Sequence, residues 1–229
     1  MKRLMLVSFA LFFATIVNAQ VSFGLRGGYV NALLDAKPAG SGYQRSHTSH
    51  LNSWQAGFYL DIPVFPQGYI QPGVSYIVKG ANIKYDKEQT GSAIYSGVSQ
   101  IKLQYIELPV NFIYKIPVGF GRVALGAGPY AAYSIRGDYE LSVYNGDKTL
   151  QSNTQQLDFR RSPNIFSTNM ELRRWDAGFN FTAGLELNSY LTFGVNYSLG
   201  LMDIDKGTDN VKNRYLGVNL GILFNREDW

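Results

Sequence analysis

The chain has no cysteine, only two histidines and few charged residues: 17% of its 229 positions. Without cysteine there is no disulfide framework, no thiolate metal site and no cysteine nucleophile. Charge falls below the ~25% usual for soluble domains. Long apolar runs are also missing. The one continuous stretch, from Leu4 to Val17, is shorter than the about 20 residues that a membrane-spanning helix needs. A basic stripe of the kind nucleic acid demands is absent, and no nucleic-acid partner is expected. The formal charge of +4 falls to about +2 once Lys2 and Arg3 are set aside.

What is present is aromatic and glycine-rich, with 16 Tyr, 14 Phe and 24 Gly. An aromatic content of 14% argues against disorder. Lys2-Arg3, the following apolar run and Val17-Asn18-Ala19 form the pattern of a signal peptide, residues 1–19, cut after Ala19. Residues 20–229 then form one exported domain.

That domain shows almost no helical period and eight segments of period-2 alternation. Clear examples are Trp54/Ala56/Phe58/Leu60/Ile62 and Trp175/Ala177/Phe179/Phe181/Ala183/Leu185/Leu187. The opposite phase carries Gly, Ser, Asn and Gln with isolated charges. Small polar residues suit the crowded interior of a narrow barrel better than a solvated surface. The apolar stripes hold no charge, as lipid requires. Ile101, Leu103 and Tyr105 sit in the opposite phase to Ile106, Leu108 and Val110, which predicts a bulge near Tyr105.

Aromatics mark the stripe ends. Tyr29, Trp54, Tyr133 and Trp175 fall at one rim, and Phe23, Tyr114, Phe193 and Phe224 at the other, the placement of interfacial girdles. Tight turns are predicted at Pro66-Gln67-Gly68, Pro117-Val118-Gly119 and Asn188-Ser189. Long connections start near Asp35, Tyr85, Ser134 and Met202, with an Asn145-Gly146 hairpin turn inside the third. An even strand count with short and long connections in turn predicts an all-β, eight-stranded antiparallel up-and-down transmembrane β-barrel. Such barrels keep their short turns, and here both termini, in the periplasm. The expected place is the outer membrane of a Gram-negative cell.

A family resemblance rests on particular runs. Gln104-Tyr105-Ile106-Glu107-Leu108-Pro109-Val110 resembles a signature of PorT-type outer-membrane β-barrels, members of the wider porin family of barrel domains. Gly126-Ala127-Gly128-Pro129-Tyr130, Asp176-Ala177-Gly178 with Gly184-Leu185-Glu186, Tyr197 to Leu201 and Asn213 to Phe224 resemble that family's later strands, in the same order. The resemblance implies fold and location, and a link to secretion across the outer membrane for some members. It supplies no catalytic residues.

The inward phase carries Arg26, Asp61, Lys79, Glu107, Lys115, Arg122, Asp176 and Glu186. In a narrow lumen such charges must be paired, which predicts a polar plug and a closed pore. Arg160, Arg161, Arg173 and Arg174, in the third long connection, are candidates for lipopolysaccharide phosphates. His47 and His50 in the first connection raise the alternative of a lipid A-modifying barrel enzyme, with a histidine as general base. No nucleophile motif accompanies them. The run Asp203-Ile204-Asp205-Lys206-Gly207-Thr208-Asp209 has alternating carboxylates but lacks the closing Glu of a calcium loop. The reading is a non-enzymatic, cell-surface barrel, a monomer without cofactor or metal. Its partners are outer-membrane lipids, lipopolysaccharide and secretion or adhesion proteins. A small-solute porin is the other alternative.

Overall fold

A computed structural model describes residues 21–37, 47–84, 94–145, 148–157, 159, 172–206 and 210–224. Residues 1–19, expected to be a signal peptide, lie outside them. The strands are β1 (Ser22–Lys37), β2 (His47–Ser49), β3 (Leu51–Phe65), β4 (Gly68–Lys84) and β5 (Ile94–Val118). They continue as β6 (Gly121–Asn145), β7 (Lys148–Gln156), β8 (Trp175–Leu187), β9 (Leu191–Gly200) and β10 (Asn210–Phe224).

Eight of these close a ring in the order β1-β3-β4-β5-β6-β8-β9-β10, with β10 returning to β1, every pair antiparallel. Two strands stand off the ring. β2 pairs with the far end of β4, and β7 pairs with the far end of β6. The segment pattern decides this closure. Each ring strand buries one phase and exposes the other, so a flat sheet would leave two unpaired edges that the ring abolishes.

The exposed phase is apolar around the circumference. Phe58, Val110, Leu125, Phe181, Val195 and Val218 each stay more than 40% exposed. A continuous apolar band of this kind belongs against hydrocarbon and not against water. The buried phase is polar near the hairpin turns, and an inward glycine makes room for its largest side chains. A Cβ on Gly24 would fall 2.2 Å from Cζ of Tyr59, so only glycine lets that ring lie flat across the lumen.

Three sequence expectations need correction. β5 alternates without a break from Ile101 to Lys115, so Ile101, Leu103 and Tyr105 point inward in phase with Glu107. The register shift between Gln104 and Tyr105 is real, but its extra residue is Ile135 on β6. The second tight turn is Gly119-Phe120, because Val118 still pairs with Gly121. Finally, the third long connection begins eleven residues later than Ser134, since β6 runs on to Asn145 and returns as β7. Asn145 pairs with Lys148 across that hairpin. The strands β5, β6 and β7 therefore rise past the ring as a three-stranded sheet.

The inward apolar residues gather at the loop end, opposite the tight turns. Val30, Ala32, Leu34, Ile77, Ala81, Ile101 and Leu103 form one core with Phe159, Leu172 and Ile204 from the connections. Ile204 is wholly buried. Its amide donates to Val211 O and its carbonyl accepts from Arg173 N, which stitches the third and fourth connections across the mouth.

Candidate functional site in the barrel lumen

β5 serves as a ruler down the lumen. From the loop end its inward residues are Leu103, Tyr105, Glu107, Pro109, Asn111, Ile113 and Lys115. Glu107 and Lys115 are eight residues apart, about 26 Å along an extended strand. Each anchors one ion cluster.

The upper cluster centres on Lys79 of β4, which is 1% exposed. Its Nζ lies 2.7 Å from Oε2 of Glu107 and 3.1 Å from Oδ2 of Asp176. Three tyrosine rings enclose the ammonium, with centroids at 4.3 Å for Tyr130, 5.2 Å for Tyr105 and 5.4 Å for Tyr215. The carboxylates are held in turn. Tyr130 and Asn213 donate to Asp176, and Asn180 and Tyr215 donate to Glu107. A buried ion pair needs donors for its remaining lone pairs, and these four serve Oδ2 of Asp176 and Oε1 of Glu107, while Oδ1 of Asp176 is buried without one.

Below lies a layer of amides. Nε2 of Gln55 donates to Asn219 and Asn196, and Nδ2 of Asn219 donates to Oδ1 of Asn196 at 2.6 Å. The lower cluster, at the turn end, is Lys115 between Asp61 and Glu186, with 2.7 Å to Oε1 of Glu186. Gln71 donates to Asp61 at 2.9 Å, and the Lys115 ammonium sits 4.3 Å from the Tyr69 ring centroid. Arg122 is buried and directly opposite Glu186 in the β6–β8 register. Arg26 lies over the ring of Tyr59 at 5.3 Å.

All eight charges expected on the inward phase are therefore there, seven of them in two separated groups and Arg26 over the Tyr59 ring. Tyr105, Tyr130, Gln55, Asn196 and Asn219 add to the filling, none of them among the charges that mark the lumen in the sequence. Alternation already places Tyr130 in phase with Gly126 and Gly128, so that signal was present. A cavity of about 60 Å³ remains beside Arg26, Tyr59, Gln71, Thr182, Glu186 and Thr192. A water needs about 10–15 Å³ on this measure, so the space suits a few waters and excludes a sugar.

The rim aromatics lie on the exposed phase. Tyr29 pairs with Trp54, and Tyr133 with Trp175, near the loop end, where Tyr133 and Trp175 meet edge to face at 5.1 Å. Phe23 stacks on Phe224 at 6.2 Å near the turn end, where Tyr114 and Phe193 are also exposed. Arg174 packs over Phe159 at 4.4 Å and donates to the Ser134 carbonyl. Arg173 donates to the Asp203 carbonyl. Arg160 and Arg161 lie outside the described residues.

His47 pairs in backbone register with Lys84, and the carbonyl of the exposed His50 accepts from Asn82. Neither contact builds an acyl-transfer site. Oδ1 of Asp203 accepts from the amides of Asp205 and Val211, so that oxygen closes a turn. Among the described residues no cluster of His, Asp and Glu could hold a metal ion.

No curated protein matches the chain by sequence. Among solved structures it is similar to Ail, the attachment invasion locus protein of Yersinia pestis, at 11% identity and a TM-score of 0.42, covering 90% of this chain and 99% of that one. OprG from Pseudomonas aeruginosa gives 14% identity and 0.44, covering 90% and 97%. Neisserial surface protein A gives 10% and 0.42, covering 89% and 97%. The model of the outer membrane protein beta-barrel domain matches residues 13–206. With most of its length so matched, the chain belongs to the outer membrane protein beta-barrel domain family.

Proposed function

We propose that this barrel is a closed, non-enzymatic carrier of a cell-surface recognition element, with both termini in the periplasm. The observation that carries the reading is the double obstruction of the lumen. The Lys79 cluster fills its middle, and the core around Ile204 seals its loop end. A barrel of eight strands has an interior just wide enough for side chains, and here they occupy it. What the fold offers instead is the sheet of β5, β6 and β7 above the ring. The order of motifs that resembles PorT-type barrels supports a part in a secretion or adhesion assembly, with that sheet and the neighbouring connections as contact surface.

The test joins two measurements on the full chain. Purified protein in planar bilayers is expected to show no large, steady conductance. A cysteine placed by Leu150→Cys, on exposed β7, is expected to react with a membrane-impermeant maleimide on intact cells. Stable channels that pass sugars would make the porin reading the better one. Labelling only after the outer membrane is breached would reverse the orientation.

A further inference from the structure

The register shift in β6 has a chemical consequence at the rim. Ordinary alternation would turn Arg136 inward after an outward Ile135. The extra residue leaves both outward, with Ile135 47% exposed and the Arg136 side chain 55% exposed. This step lies just beyond Tyr133, which faces Trp175 at the end of the apolar band. An isoleucine thus borders the hydrocarbon while a guanidinium stands immediately past it.

The neighbours of Arg136 on β5 are fixed by register: Gln104 lies opposite Arg136, and Lys102 lies opposite Asp138. Nε of Arg136 donates to both carboxylate oxygens of Asp138 at 3.0 Å, and Gln104 donates to Oδ2 of the same group at 3.3 Å. Asp138 therefore holds the guanidinium at Nε, and the side chain as a whole stays 55% exposed. Lys102 is exposed on the same face. Two cations flank Asp138, and the next carboxylate on this face, Glu140, is engaged by Ser152 of β7.

Among the described residues, the other arginines at this end are differently engaged. Arg214 is matched to Asp35 at 2.6 Å, and Arg173 and Arg174 bind backbone carbonyls. A guanidinium edge beside an ammonium is the donor set that grips a phosphate. Directly above an apolar band and an aromatic girdle, the anion within reach is a lipid headgroup.

We propose that Arg136 and Lys102, steadied by Asp138 and Gln104, seat a phosphate group of an outer-leaflet lipid against the barrel wall. The inference rests on the reading that the loop end faces outward.

The probe is diphosphoryl lipid A in phosphatidylcholine nanodiscs carrying the full chain, with lipid A retained on the protein measured by native mass spectrometry. Arg136→Gln together with Lys102→Gln is expected to lower retention about tenfold, the scale of one or two charge-assisted hydrogen bonds. Both side chains are exposed, and heat-modifiable migration on gels checks that the variant remains a folded barrel. Lys148→Gln, at the far tip of the sheet, is expected to leave retention unchanged.

Equal retention by the double variant would overturn the site. A loss with Lys148→Gln as large as with Lys102→Gln would overturn it too, since net charge alone would then explain binding. Enzymatic dephosphorylation of the lipid A is expected to abolish the difference between wild type and variant, and its persistence would show that phosphate is not the group recognised. Excess inorganic phosphate is expected to leave the lipid in place; displacement by it would mean a site for free anions. Failure of the orientation reading shows separately, as lack of Leu150→Cys labelling on intact cells.

Discussion

Nζ of Lys79 on β4 and Oε2 of Glu107 on β5 lie 2.7 Å apart inside the barrel, with neither side chain more than 3% exposed. No local sequence feature joins them, and 27 residues of chain separate them. Asp176, a third partner, comes from β8 on a different arc of the ring. The pairing exists because closure turns three alternating strands toward one point.

Removal of the cation alone should be severe. Lys79→Met leaves two buried carboxylates facing each other, and breaking a buried pair in this way costs about 3–5 kcal/mol. The triple replacement Lys79→Met, Glu107→Gln, Asp176→Asn removes every charge and keeps the shapes, so most of that loss should return. Urea unfolding in lipid vesicles measures both. A single Lys79→Met variant as stable as wild type would mean that the cluster does not act as a unit.

The outward face is tested at one pair of neighbours. Phe181 is 48% exposed, between Ala127 and Tyr197, and Phe181→Arg should cost about 2–4 kcal/mol near the bilayer midplane. Thr182→Arg turns the other way, into the lumen beside the small cavity, and should cost about 1–3 kcal/mol through crowding. Heat-modifiable migration and unfolding midpoints separate the two. If Phe181→Arg inserts and unfolds as wild type does, the apolar band does not face lipid.

Most of this fold can be read from periodicity, and the exceptions are informative. Phe181 and Val218 announce the outward face because their alternates are Gly, Asn or Thr. Ile101, Leu103 and Tyr105 defeat the same logic. At the loop end β5 has passed the apolar band: Lys102 and Gln104 face outward and the apolar phase turns in to the core, so the period is kept while its polarity reverses. Their phase looks broken only while every apolar residue is assigned to lipid. The eight lumen charges were legible as inward residues, but the division of seven of them into two clusters depended on register, which no single strand encodes. The turn at Gly119-Phe120 escaped for a simpler reason: Pro117 is a strong turn residue that here stays at the strand's end, opposite Arg122.

Glycine and tyrosine at the turn end make a reciprocal pair. Gly24→Val would drive its Cβ into the Tyr59 ring and should destabilise by about 1–3 kcal/mol. Tyr59→Leu in the same chain vacates that space, so the double variant should lose less than the sum of the two singles. A double-mutant cycle by urea unfolding reads the coupling. Strict additivity would mean that the contact does not limit packing there.

The two obstructions should be independent, and the absence of native cysteine makes this easy to read. Leu103→Cys places a thiol in the wholly buried core at the loop end, and Asn111→Cys places one below the Lys79 cluster. Neither should react with a small impermeant thiol reagent applied at the loop side of an otherwise intact barrel. Ile204→Asp puts an unpaired carboxylate at the centre of the apolar seal, a position where burial of charge is costly enough to force the segment outward. In that background Leu103→Cys should become reactive. Asn111→Cys should stay protected, because Lys79, Glu107, Asp176 and the three tyrosines still cross the lumen above it. Modification of both sites would show that the seal around Ile204 props up the charged layer. Modification of neither would show that Ile204 is dispensable to closure, and that the core of β1, β4 and β5 side chains seals the mouth without it.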